Sequence, residues 1–145
     1  MKSVIQRVSK ASVTVDSHLV GSIEHGLLVY LGIEKGDTLE QLTWLCNKIG
    51  KLRMFTDENG KMNLSLADVK GEILVVSQFT LCANLRKGNR PSYDNAADPK
   101  DAEILYEKSL AILAGLGFPV SHGSFGAHMQ VTYTNDGPVT MLLDA

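Results

Sequence analysis

Apolar and polar positions alternate in short runs at the start of the chain. Residues 3–8, 11–16 and 19–24 are rich in valine and isoleucine and are parted by turn-forming residues, which predicts an N-terminal antiparallel meander. LLVYLGI, residues 27–33, is apolar at successive positions, the pattern of a central strand buried on both faces. From Thr38 the period changes to that of a helix. Leu39, Leu42, Leu45, Cys46 and Ile49 share one stripe, Gln41 completes a capping box with Thr38, and Gly50 is the expected stop. DENG, residues 57–60, reads as a turn.

GEILVVSQFTL, residues 71–81, is the strongest strand pattern in the chain. A second helix is predicted from Asp98 as cap and Pro99 at the first helical position. Its apolar face holds Ala102, Leu105, Tyr106, Leu110 and Leu113, and Gly115 and Gly117 end it. Two further strands fall at 128–134 and 139–143, with TNDGPVT between them as a hairpin turn. That hairpin carries a puzzle. Pro138 stands where the turn needs an N–H to close on Asn135, and proline has none. No repeat, linker or low-complexity segment divides the chain, so residues 1–145 are expected to form a single α+β domain. A mainly antiparallel, barrel-like sheet with two packing helices is the expected architecture.

Composition narrows the functional classes. Fourteen basic and 16 acidic side chains leave a formal net charge of −2, which argues against a protein that coats nucleic acid through many phosphate contacts. Cys46 and Cys82 lie far apart without metal-type spacing and are expected to be reduced thiols. The start, MKSVIQRVSKAS, lacks the apolar core of a secretory leader, and the uncharged stretch 73–85 is too short to span a bilayer. A soluble, cytoplasmic protein is therefore expected. His18, His25, His122 and His128 show no metal-ligand spacing and are read as scattered surface or core residues. No metal or cofactor is expected, since no Gly-rich phosphate loop, GxSxG elbow or Cys–His pairing occurs.

Three segments carry candidate chemistry. SQFT, Ser77 to Thr80, puts polar side chains at the end of an apolar strand; such a strand can simply emerge into solvent, or it can present binding groups. Thr80 as a nucleophile would need a neighbouring base, and the motif contains none. Backbone N–H groups at the strand end are the alternative, as an oxyanion hole. NLRKGNRPSY, residues 84–93, gathers Arg86, Lys87 and Arg90 in a loop suited to a phosphate backbone. GSFGAHM, residues 123–129, sets Phe125 and Met129 among small residues, as core or as a pocket wall open to a flat base. In TNDGPVT, the Gly137–Pro138 bond is one for which the cis form is accessible.

SQFTL at 77–81 together with NDGPVT at 135–140 resembles the D-aminoacyl-tRNA deacylases. The likeness extends through IQRV at 5–8, GLLV at 26–29, FTDENGKMN at 55–63, RPSY at 90–93 and MQV at 129–131. The resemblance implies a homodimeric cytoplasmic hydrolase that cleaves the ester between a D-amino acid, or mischarged glycine, and the terminal adenosine of tRNA. It implies that Gly137–Pro138 is cis and enters the partner's active site, where its carbonyls hold the substrate amino group and exclude an L side chain. By the same resemblance Ser77, Gln78, Phe79 and Thr80 face the ester, with Phe79 and Thr80 catalytic through their amides. Arg7 supports the Gly-Pro loop, and Ala102, Phe125 and Met129 border the amino-acid and adenosine subsites. His128, Tyr93 and Cys82 stand where aspartate, phenylalanine and alanine are frequent. The favoured mechanism uses the 2′-hydroxyl of the terminal ribose, with a Thr80 nucleophile as the competing scheme. A catalytically silent module that binds a tRNA end or a small molecule is the reading from another class.

Overall fold

The computed structural model describes residues 1–86 and 88–145. Among these residues, eight strands and two α-helices run in the order β1 (Lys2–Val15), β2 (His18–Ile23), β3 (Gly26–Gly32), α1 (Leu39–Lys51), β4 (Phe55–Thr56), β5 (Met62–Leu64), β6 (Glu72–Ser77), α2 (Pro99–Gly115), β7 (Val120–His122) and β8 (Gln130–Asp144). The α+β architecture with two helices on a barrel-like sheet is as expected.

The first two expected strands are one. β1 runs unbroken through Ser9 and Lys10 because β8 pairs with it along almost its whole length, from Lys2 opposite Asp144 to Thr14 opposite Gln130. Between Val8 and Lys10 the β1–β8 register slips by one residue on β1. Such a bulge sends later side chains to the opposite face. Ile5 thus packs under the helices, whereas Ala11 and Val13 face the barrel interior. This break in alternation made one strand look like two.

The sheet is mixed rather than purely antiparallel. β1 pairs antiparallel with β2, β3 and β8, but β3–β6 and β6–β7 are parallel. The parallel pairs follow from the long connections through α1 and α2, which carry the chain back to the same end of the sheet. The barrel nearly closes where β7 approaches β2. Ser121 Oγ donates to the Ser22 carbonyl at 2.8 Å, and a Cβ on Gly21 would lie 2.3 Å from the His122 carbonyl oxygen. Only a residue without a side chain permits that approach.

β3 and β6 are apolar on both faces because each separates two cores. Leu27, Val29, Leu31, Ile73 and Val75 pack beneath α1 and α2, while Leu28, Leu74 and Val76 fill the barrel with Val8 and Val13. α1 has the expected capping box, with the Thr38 hydroxyl accepting from the Gln41 amide and the Gln41 side chain accepting from Thr38 N–H. Leu39, counted in its stripe, is exposed. The helix continues past Gly50 to Lys51, and Gly50 instead makes room for the Phe118 ring, which a Cβ would meet at 2.7 Å. Asp98 precedes α2 with no side-chain capping bond, so Pro99 alone marks that start.

Two expectations about the motifs change. The strand in GEILVVSQFTL stops at Ser77, and Phe79–Cys82 form a 3₁₀ turn. TNDGPVT is no hairpin. Its two arms both belong to β8 and both pair with β1, at Gln6–Thr140 and Val8–Asn135. Residues 136–139 are therefore an excursion of one strand, four residues opposite the single residue Arg7. Among the described residues, no helix is long and apolar enough to cross a membrane.

Candidate active site

A cavity of about 460 Å³ opens where β3 and β6 end, within the size range of small-molecule sites. Leu31, Ile33, Val76 and Ser77 form its floor, followed by Gln78 and Phe79. Ala96, Ala97, Pro99 and Ala102, at the start of α2, make one wall; Phe125 through Met129, with Val131 of β8, make the other. Five of these, Ala96, Ala97, Ala102, Gly126 and Ala127, are small and leave a flat slot. The structure thus brings together Ser77, Gln78, Phe79, Ala102, Phe125 and Met129 from three separate segments.

Phe125 is held from behind. Its ring packs at 5.5 Å against Tyr106 of α2, whose hydroxyl donates to the Val75 carbonyl at 2.9 Å. Burial pushes the Tyr106 hydroxyl up to about 12, so it stays a donor across the physiological range. Met129 sits against Gly123, where a Cβ would meet its sulfur at 2.5 Å. Phe125 and Ala102 pack with the core beneath the helices, and Met129 and Val131 with the barrel interior, so the cavity wall joins the two cores.

The 3₁₀ turn after Ser77 sets the polar end of the cavity. Gln78 N–H donates to the Leu31 carbonyl at 2.8 Å, which prolongs the β3–β6 pairing by one residue. The first bond inside the turn runs from Leu81 N–H to the Gln78 carbonyl, and Gln78 supplies no side-chain cap. The amides of Phe79 and Thr80 therefore lead the turn, the positions that leave N–H groups free for a ligand. Thr80 is not among the residues lining the cavity; its Oγ1 pairs with the Gln78 Nε2. An amide in either orientation is no base, so that contact does not activate the hydroxyl.

His128 does line the cavity, contrary to its reading as a scattered surface or core histidine. The signal for it was proximity to Met129 alone. Val131, Ala96, Ala97 and Pro99 were also missed, because their roles depend on where β8 and the loop before α2 meet in space. Arg86 and Arg90 are exposed on the loop closed by the Asn84–Ser92 bridge; Lys87 lies outside the described residues.

Arg7, Gly137 and Pro138 form a second assembly, apart from the cavity's lining. Arg7 is 8% exposed, and its Nη1 donates to the Met54 carbonyl at 2.7 Å and to Thr56 Oγ1 at 3.4 Å. Its Nε reaches the Asp136 carbonyl at 3.3 Å and the Asp136 carboxylate at 3.0 Å. Gly137 has φ +123°, and a Cβ there would lie 3.0 Å from Arg7 Nη2. The Gly137–Pro138 peptide is cis.

Asn135 resolves the missing donor. Its Nδ2 donates to the carbonyls of Arg7 at 2.9 Å and Val139 at 3.0 Å, which takes over the donor role that the ladder loses at the excursion. Its Oδ1 accepts from Thr140 Oγ1 at 3.3 Å and Gln6 Nε2 at 3.5 Å. One amide side chain closes the neck of the excursion.

Comparison with known proteins fits this layout. The protein is 56% identical over 144 residues to the D-aminoacyl-tRNA deacylase of Geotalea daltonii, covering 99% of this chain and 96% of that one. It is 54% identical over 145 residues to the enzyme of the same name from Thermosipho africanus, covering 100% and 97%. Among solved structures it matches c-Myc DNA Unwinding Element Binding Protein at 44% identity and a TM-score of 0.95, over 100% of this chain and 99% of that one. A probable eukaryotic D-amino acid tRNA deacylase shares the fold at 18% identity and a TM-score of 0.83, over 99% and 98%. The family model described as D-Tyr-tRNA(Tyr) deacylase matches residues 4–144, and the chain belongs to that family.

Proposed function

We propose that this protein hydrolyses the ester joining a D-amino acid, or mischarged glycine, to the terminal adenosine of tRNA in the cytoplasm. The observation that carries the reading is a cavity that ends at the turn led by Phe79, with no hydrogen bond pairing Ser77 to His128 among its described lining residues. A site with no such activated pair suits a substrate that supplies a reactive group. The vicinal 2′-hydroxyl of the terminal ribose assists the attack on the ester carbonyl. The Phe79 and Thr80 amides receive the negative charge that develops on the carbonyl oxygen. The slot between the small-residue wall and Met129 takes the flat adenine.

Stereochemical choice falls to the excursion of β8, working across a homodimer. Within one chain Gly137 and Pro138 do not line the cavity, so they are free to serve a second copy. β8 is paired along one edge by β1 and carries exposed Tyr133, Met141 and Leu142. An edge of this kind favours association. Main-chain carbonyls of residues 136–138 would hold the substrate ammonium and leave no space for an L side chain. Selection by main chain rejects one configuration without gripping the other's side chain, so a broad range of D-amino acids is expected.

Two substrates and one variant test the mechanism. D-tyrosyl-tRNA ending in 2′-deoxyadenosine should be cleaved far more slowly than the normal ester; equal rates would refute assistance by the RNA. Thr80→Ala should stay within about ten-fold of the parent rate, whereas loss of a covalent nucleophile costs on the order of 10⁴-fold or more.

A further inference from the structure

We infer that Phe79 and Tyr93 form a stacking platform for the base that precedes the aminoacylated adenosine, a subsite outside the cavity. The inference rests on the tRNA-ester reading above and deepens it. The two rings meet edge to face, with centroids 5.0 Å apart and planes at 65°. Yet Phe79 is 58% exposed and Tyr93 39%. Two rings in contact and yet this exposed keep an aromatic face open to a ligand. Phe79 lines the cavity and also faces solvent, so a strand of RNA that leaves an adenosine in the cavity passes over this ring first.

Tyr93 is fixed on both sides by backbone bonds. The Asn84–Ser92 bridge precedes it, with amide–carbonyl distances of 2.8 and 3.2 Å, and its own carbonyl accepts from Ala96 N–H at 2.9 Å. Asp94, next along, has its carboxylate occupied by Ser92 Oγ at 2.7 Å. The ring therefore sits on a preorganised segment and not on the loop tip. Arg86 and Arg90, both exposed, lie on the loop which that bridge closes, so positive charge accompanies the aromatic faces. Aromatic platforms beside cations are the means by which proteins hold single-stranded nucleic acid, and stacking tolerates any base. The occupant is the penultimate cytidine of the CCA end, which all tRNAs share.

The experiment compares D-tyrosyl esters of adenosine and of cytidylyl-adenosine, measuring KM and kcat separately. The parent protein should show a KM about ten-fold lower for the dinucleotide, with kcat little changed. An abasic sugar in place of cytidine should remove that gain while keeping the phosphate. Tyr93→Phe should keep the gain; Tyr93→Ala and Tyr93→Leu should lose it. A gain absent in the parent, kept by the abasic ester, or kept in both non-aromatic variants would overturn the platform and leave the deacylase reading intact. Cleavage of neither ester by the parent would overturn both.

Discussion

Arg7 holds Asp136 twice, through the backbone carbonyl at 3.3 Å and through the carboxylate at 3.0 Å. The same guanidinium binds the Met54 carbonyl on its other side, so an almost buried cation ties the excursion of β8 to the segment leading into β4. Arg7→Ala would leave the Met54 carbonyl without its partner and the excursion without its strut. A loss of about 2 kcal/mol is expected from urea unfolding. Deacylation at a temperature where the variant stays folded should fall further than that loss explains, because the loop, not the cavity, has moved.

Asn135→Asp keeps the shape of the side chain but turns a donor into an acceptor facing the carbonyls of Arg7 and Val139. Two carbonyls lose their donor and meet negative charge. The variant should lose about 2–3 kcal/mol, read from its urea midpoint. Acidification below the carboxylate's pKa should restore part of it, since the protonated acid donates again.

Burial pushes the Cys46 thiol up to about 12 and, together with the Glu34 charge, pushes Cys82 up to about 11, from an ordinary thiol value of 9.0. Above pH 9 the unfolded chain releases these protons while the folded chain retains them. Stability conferred by the neutral thiols is thus fully present below pH 9 and declines as pH rises towards 11 and 12. Each thiol contributes a slope of up to about 1.4 kcal/mol per pH unit. Cys46→Ala should flatten the alkaline limb of a stability profile, and the folded parent should resist alkylation at neutral pH.

Much of the cavity was legible because its residues fall in motifs. Ser77, Gln78, Phe79, Phe125 and Met129 lie in SQFT and GSFGAHM, and the helix from Pro99 brings Ala102 with it. The rest depended on distant pairing. That 128–134 and 139–143 are one strand is invisible locally, since only β1 supplies the common partner that keeps both arms in line. Local pattern reads Asn-Asp-Gly as a hairpin tip; the ladder makes it a loop-out, whose neck is closed by the Asn135 side chain donating to the carbonyls of Arg7 and Val139. The 3₁₀ turn at Phe79 was likewise hidden, because FTL continues the strand's apolar composition although the pairing with β3 has ended. The bulge at Ser9 hid the continuity of β1 for the opposite reason, by breaking an alternation that the backbone does not break.

The central claim is that the main chain around Gly137 selects configuration at a cavity built from SQFT. The most direct measurement presents the purified protein with D-tyrosyl-tRNA and L-tyrosyl-tRNA side by side and follows loss of each ester. The account predicts rapid loss of the D-ester while the L-ester decays at its spontaneous rate. Loss of both at similar rates would contradict the stereochemical filter, and loss of neither would contradict the hydrolase itself.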